Sequence, residues 1–176
     1  MATFYTSDSH FSHFNIIRYC NRPFLTIAEM NDTIINNFNS VIKPEDTLYH
    51  LGDFAFSKNY DYLVSLMNRI NGKKVCIIGN HDREKFFKQM MIDNVITGYC
   101  GNLHTVIDGQ SIYMTHRYKE FDNSKTSWTL YGHVHTTGGK LNNNLSYDVG
   151  VDNNNYFPVS FDQLKIIMEK TKRNIK

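Results

Sequence analysis

The sequence predicts an α/β fold in a single domain spanning residues 1–176, on three observations. Short runs rich in β-branched and aromatic residues alternate with stretches of helical period through the first half of the chain. The second half is dominated by further strand-like runs separated by turn residues. A length of 176 residues is one domain's worth, and no repeat or linker divides it.

Each element follows from local pattern. Thr3-Phe-Tyr-Thr6 reads as a first strand leading to Asp8. Thr26 and Glu29 have capping-box spacing, and Ile27, Met30, Ile34, Phe38 and Val41 continue at helical period. Thr47–Leu51 is a second strand that delivers Gly52-Asp53. Leu63, Met67 and Ile70 mark a second helix, with Gly72 as the residue that ends it. Lys74–Ile78 is a third strand, leading into Gly79-Asn80-His81-Asp82 and a helix over Glu84–Met91. Thr105–Asp108 and Ser111–Thr115 flank Gly109 as a hairpin, and Trp128–Tyr131 and Leu145–Val149 add strands. The Asn-rich stretches 142–144 and 153–155 read as turns. A last helix begins at Ser160, with Gln163 in capping position and Phe161, Leu164 and Ile167 on one face. Strand–helix alternation followed by strand-rich sequence predicts two packed sheets with helices outside. Tyr5, Tyr49, Phe54, Phe56, Tyr113 and Tyr131 alternate along strands and are assigned to the core rather than to base stacking.

Composition narrows the function. At 41% hydrophobic and 20% charged the chain is an ordinary globular one, and a net charge of +2 supplies no global basic field for non-specific nucleic-acid binding. No apolar run approaches the roughly 20 residues of a membrane span, and the N-terminus lacks signal-peptide character. Cys20, Cys76 and Cys100 are widely spaced with no CxxC, which predicts a reducing, cytoplasmic setting. Cys76, inside an apolar run, is a small core residue.

Several strand-like runs end in blocks of metal-ligand type: Asp8-Ser-His10, Gly52-Asp53, Gly79-Asn80-His81-Asp82, His116 and Gly132-His133-Val-His135. If strand geometry persists, Asp8 and His10 share a face, as do His133 and His135. Glycines before Asp53, Asn80 and His133 allow tight turns and close approach. Carboxylate, amide and imidazole donors suit Mn, Fe, Zn, Ni or Co. Two dications outweigh two carboxylates and a hydroxide by one charge, leaving a positive centre for a phosphate anion. Two ions about 3.5–4 Å apart stabilise both ends of an in-line displacement.

As a set, these blocks resemble the calcineurin-like metallophosphoesterase superfamily, matching D-x-H, G-D, G-N-H-D/E, a lone His and G-H-x-H in order from position 8 to 135. The segment from Asp8 to Phe24 resembles a small bacterial and phage branch of it. The resemblance implies a four-layer αββα sandwich of two mixed sheets and two divalent ions, with Mn foremost. It also implies that Asp8, His10 and His135 hold one ion, that Asn80, His116 and His133 hold the other, and that Asp53 bridges. A hydroxide shared by the ions would attack the phosphorus of a small phosphodiester or phosphomonoester, a nucleotide among the candidates. His81 would stabilise the phosphate or protonate the leaving oxygen. Asp82 would orient His81, or else cap the helix that follows.

Arg18, Arg22, Arg83, Arg117 and Lys119 lie near these blocks, and Arg22 and Arg83 are the candidates for a phosphate oxygen, because guanidinium matches it in a fork. His13 and Asn15 read as the opening of a helix after Ser12, the alternative being a wall of the phosphate pocket. His50 reads as a satisfied strand residue and His104 as a surface one. The Gly52-Asp53-Phe54 context lacks the G-D-x-x-D-R-G pattern of protein phosphatases. The competing functions are a nuclease, which needs a basic groove, and a non-catalytic scaffold resembling the retromer subunit of this fold.

Overall fold

The computed structural model describes residues 1–118, 127–136 and 145–174; Lys119 and the predicted turn at 142–144 lie outside the described residues. Its strands are β1 (Thr3–Thr6), β2 (Thr47–His50), β3 (Lys73–Ile77), β4 (Gly98–Cys100), β5 (Asn102–Ile107), β6 (Gln110–Arg117), β7 (Trp128–Gly132), β8 (Ser146–Asp148) and β9 (Val159–Ser160). Its helices are α1 (Phe14–Tyr19), α2 (Ile27–Val41), α3 (Tyr60–Asn68), α4 (Glu84–Ile92) and α5 (Phe161–Asn174). The strands form two mixed sheets, in the orders β4-β3-β2-β1-β9 and β5-β6-β7-β8. The first is parallel except for β9, and the second joins an antiparallel hairpin to two parallel strands.

Alternation along the strands divides the core in two. Phe4, Leu48 and Cys76 face a cluster with Met30, Ile34 and Phe38 of α2, Leu63 and Met67 of α3, and Phe87 and Met90 of α4. Tyr5 and Ile77 point the other way and meet Ile112, Met114, Trp128 and Leu130 of the second sheet, joined by Phe161, Leu164 and Met168 of α5. One face of the parallel sheet is thus packed on helices and the other on a second sheet, the αββα arrangement predicted.

The helix ends show the predicted capping chemistry. Glu29 N–H donates to Thr26 Oγ1 at 3.1 Å, although the Glu29 carboxylate receives Leu25 N–H rather than that of Thr26. Ser160 and Gln163 form the full reciprocal pair. Asp108 and Gly109, both at positive φ, close the predicted hairpin. Gly72 differs from expectation: α3 is capped at Arg69, and Gly72 shapes the entry to β3 instead. So does Phe56, which lies past β2 in a loop and is 54% exposed rather than in the core. α1 follows Ser12 as expected, whereas the short strands β4 and β9 carry no pattern that announces them.

Candidate metal centre

The blocks converge because the loops that carry them are zipped together. Beyond β1, Asp8 N–H donates to Gly52 O, His10 N–H to Asp53 O and Phe11 N–H to Phe54 O, at 2.9–3.0 Å. Val151 N–H donates to Ser7 O, which brings in the loop after β8. The convergence does not come from strand alternation. β1 ends at Thr6 and β7 at Gly132, and Asp8, His10, Asp53, His133 and His135 all adopt left-handed φ of 47–72°. Such values are uncommon for residues with a Cβ and concentrate at functional sites. Two glycines permit the crowding. A Cβ on Gly79 would collide with the Asp53 carboxylate, and one on Gly132 with Ser7 and Asp8.

Two donor groups result. Asp8, His10 and His135 form one and Asp53, His116 and His133 the other, each with its donor atoms within 4.8 Å of one another. His133 and His135 therefore part company instead of sharing a target. Asp53 Oδ2 lies 3.4 Å from His10 Nε2 and 3.4 Å from His116 Nε2, between the groups. Asp8 Oδ1 is 3.9 Å from His10 Nε2 and 3.8 Å from His135 Nε2. Asn80 Oδ1 sits 3.0 Å from His116 Nε2. Bonds of about 2.0–2.2 Å to one ion place neighbouring donors roughly 3–3.5 Å apart, so these spacings fit divalent cations after slight contraction.

The remaining bonds turn the donor atoms inward. His116 Nδ1 donates to Leu51 O at 2.9 Å, leaving Nε2 to face Asp53. His135 Nδ1 donates to Asp152 Oδ2 at 2.8 Å, leaving Nε2 to face Asp8. Asp8 Oδ2 accepts His133 N–H, while Asp8 Oδ1 and both His10 ring nitrogens are buried without a partner among the described residues. Orphaned acceptors at such depth are costly unless a cation satisfies them.

Charge tells the same story. Burial drives His10 below the usual imidazole range, keeping its lone pairs available. Burial also pushes the Asp8 carboxyl up to about 6. For Asp53 burial acts upward, but the His116 hydrogen bond prevails and holds the carboxyl low. Burial opposes charge on His116 and His135, yet Asp53 raises the first and Asp152 lifts the second to about 10. Carboxylates thus favour positive charge among these donors, which bound cations would supply.

Residues 1–172 match the calcineurin-like phosphoesterase family. The chain belongs to that family. A curated relative, an uncharacterised protein of Methanocaldococcus jannaschii, is 38% identical over 176 residues, covering 94% of this chain and 90% of its own. Among solved structures, a protein of unknown function from Aquifex aeolicus superposes with a TM-score of 0.77 at 23% identity, over 94% of this chain and 98% of that one. An archaeal phosphodiesterase superposes with a TM-score of 0.53 at 17% identity, over 85% and 82%. At these identities both structures speak to fold.

Within this calcineurin-like phosphoesterase, the other candidates divide. Arg22 is not available to substrate. It is 4% exposed, with Nε and one terminal nitrogen on Asp152 at 2.8 and 2.9 Å and further bonds to Ser9 O and Asp8 O. Its guanidinium is consumed in bracing the Asp8 loop and the carboxylate behind His135. Arg83 is exposed at the start of α4, beside Ser57 and His81 along one shallow hollow. Asp82 neither caps α4, whose N-cap is Arg83, nor turns toward the His81 ring. Its carboxylate accepts backbone N–H from Asp53, Phe54 and Gly79 at 2.8–3.0 Å, fastening the two motif loops together. His81 N–H donates to Asp53 Oδ1, and the exposed ring stands 5.5 Å from that of His10.

His13 is the N-cap of α1, as the helix reading has it, and its ring also faces the site, 5.4 Å from His10. Asn15 is exposed on α1. His50 is buried with Nε2 on Ser9 Oγ at 2.9 Å, and His104 lies exposed on β5 against Ser111. Sequence reasoning missed Asp152, Asp148, which accepts the Thr136 hydroxyl just past His135, and Cys20, whose thiol lies within 4.8 Å of His135 and Asp152 donors. None sits in a ligand motif. Asp152, inside an Asn-rich turn, offered no signal short of its buried partner 130 positions away.

Proposed function

We propose that the chain is a dinuclear metal-dependent phosphoesterase that hydrolyses a small phosphodiester, working in a reducing cytoplasm. The observation that carries this reading is the single Asp53 oxygen placed equally, at 3.4 Å, from one imidazole of each donor group. Asp8, His10 and His135 would hold one ion and Asn80, His116 and His133 the other, with Asp53 shared. Two such ions, Mn foremost, supply a water of lowered pKa and neutralise the charge of the phosphoryl group.

The chain's own groups do the rest. Fixed left-handed loops hold the donors without reorganisation, which places the phosphate for in-line displacement. Arg83, exposed in the hollow beside His81, binds a phosphate oxygen. His81 carries a proton at the rim of the cluster. As the water oxygen bonds to phosphorus and the ester P–O bond breaks, that proton passes to the departing oxygen, general-acid help worth about 10²–10⁴ in rate.

Hydrolysis of bis-p-nitrophenyl phosphate by Mn-loaded protein, beside p-nitrophenyl phosphate and an EDTA control, tests this. Chelator-sensitive cleavage that favours the diester is expected. A protein that binds two metals and cleaves neither ester overturns the reading. His81→Ala should keep both metals and turn over slowly, and loss of metal in that variant would refute the role given to His81.

A further inference from the structure

We infer that Phe56 and His13, flanked by Tyr19, form a nucleobase subsite, so that the phosphoester cleaved here belongs to a nucleotide; this rests on the phosphoesterase reading above. Phe56 is 54% exposed and Tyr19 73% exposed, at the rim of a cluster that is otherwise polar. The Phe56 and His13 rings stack on one another, 19° apart with centroids at 4.4 Å, and the outer face of this pair, on the half-exposed Phe56, is the shelf. Tyr19 stands almost perpendicular at its side, 6.4 Å from His13. An exposed aromatic face backed by a second stacked ring accepts a planar heterocycle by stacking.

Position ties the shelf to the reaction. The Phe56 ring is 6.1 Å from that of His81, and the His13 ring is 5.4 Å from that of His10. A base held there is about one sugar away from a phosphorus at the donor groups. The shelf is rigid, because Phe56 N–H donates to Phe11 O and Phe11 N–H to Phe54 O, with Phe11 fully buried beneath. A net charge of +2 supplies no global phosphate-neutralising field, which favours a single nucleotide over a strand.

Calorimetric titration of the Mn-loaded protein with adenosine 5′-monophosphate and with ribose 5-phosphate tests the subsite, since the two ligands differ by the base. Stacking on aromatic side chains is worth roughly five- to hundredfold per base, so the nucleotide should bind at least about tenfold tighter. Phe56→Ala should bring the ratio close to one, and Phe56→Trp should restore it. Equal affinities in the wild type, or a ratio that Phe56→Ala leaves intact, overturn the subsite while bis-p-nitrophenyl phosphate hydrolysis continues. Failure of both ligands to bind together with loss of that hydrolysis overturns the phosphoesterase reading and the subsite with it.

Discussion

The Asp8–His10–His135 half of the donor cluster and the Asp53–His116–His133 half are braced by different means. The first leans on side chains: His135 on Asp152, Asp152 on Arg22, and Arg22 in turn on the carbonyls of Asp8 and Ser9. The second leans more on backbone, His116 on Leu51 O and Asp53 Oδ1 on His81 N–H, with the Asp82 carboxylate bracing the Asp53 amide. Depth does not separate them, for each half has two buried donors and one half-buried, with Asn80 exposed beside the second. A half held by side chains can be weakened alone by substitution. A half held largely by main chain is less open to such weakening, Asp82 aside.

The largest break acts on both halves at once. Asp53→Asn removes the shared negative oxygen, and diester hydrolysis should fall on the order of a thousandfold or more, since nucleophile generation and charge neutralisation both suffer. Plasma emission analysis of the purified variant should show depletion of both metals. Loss of just one metal per chain would mean that Asp53 serves a single half.

Arg22 sharpens the contrast next. Arg22→Met leaves Asp152 buried without its cation, and breaking a buried pair in this way costs about 3–5 kcal/mol. Arg83→Ala, on the exposed edge, should change stability by about 0.5 kcal/mol or less. Denaturant melts of the two variants decide the matter, and similar midpoints would refute the assignment of Arg22 to the frame. Asp152→Asn removes the charge that pairs with both the buried Arg22 and His135, so it shares the stability cost of Arg22→Met, while its effect on metal is smaller and more local. Losses of about 10–100-fold in metal affinity are typical of such support. Titration with Mn should show one site weakened and the other unmoved; equal weakening of both would remove the distinction between the halves.

How much of this was legible follows the same division. Residue type and order gave the donor atoms, because ligand chemistry is written in side chains that recur at fixed spacing. β-branched and aromatic runs gave β1, β2 and β3, whose sheet is packed on both faces, and turn chemistry at Gly109 gave the hairpin. The geometry by which the donors meet was hidden. Asp8, His10 and His133 bend at left-handed φ, a choice that no intrinsic preference of His would announce. Arg22 misled for a related reason. Next to the D-x-H block it reads as a phosphate ligand, and its buried partner Asp152 joins it only through tertiary structure. Phe56 continued the aromatic pattern of Phe54 beyond the strand, so periodicity placed it inside although the chain there has already left the sheet.

His50 offers the finest probe, because it lies behind the Asp53 half, fully buried with its Nε2 on Ser9. Burial holds its imidazole down to about 3, against roughly 6.5 in the unfolded chain. Above pH 6.5 both states are neutral and His50 adds nothing to the pH dependence. Below it the unfolded chain takes up a proton that the folded protein refuses, so stability is lost as pH falls from about 6.5 toward about 3. At pH 5 that loss is about 2 kcal/mol. Asp8 and Asp82, both raised to about 6, act in the opposite sense, so a single melt of the wild type cannot separate the contributions. His50→Gln can, because the amide still reaches Ser9 and any cost of burying it is the same at every pH. With EDTA present, the stability gap between wild type and His50→Gln should shift by about 2 kcal/mol between pH 7.5 and pH 5, to the disadvantage of the wild type. Parallel pH profiles would mean that His50 takes its proton inside the fold, and that the backbone-braced half is less closed to water than its hydrogen bonds imply.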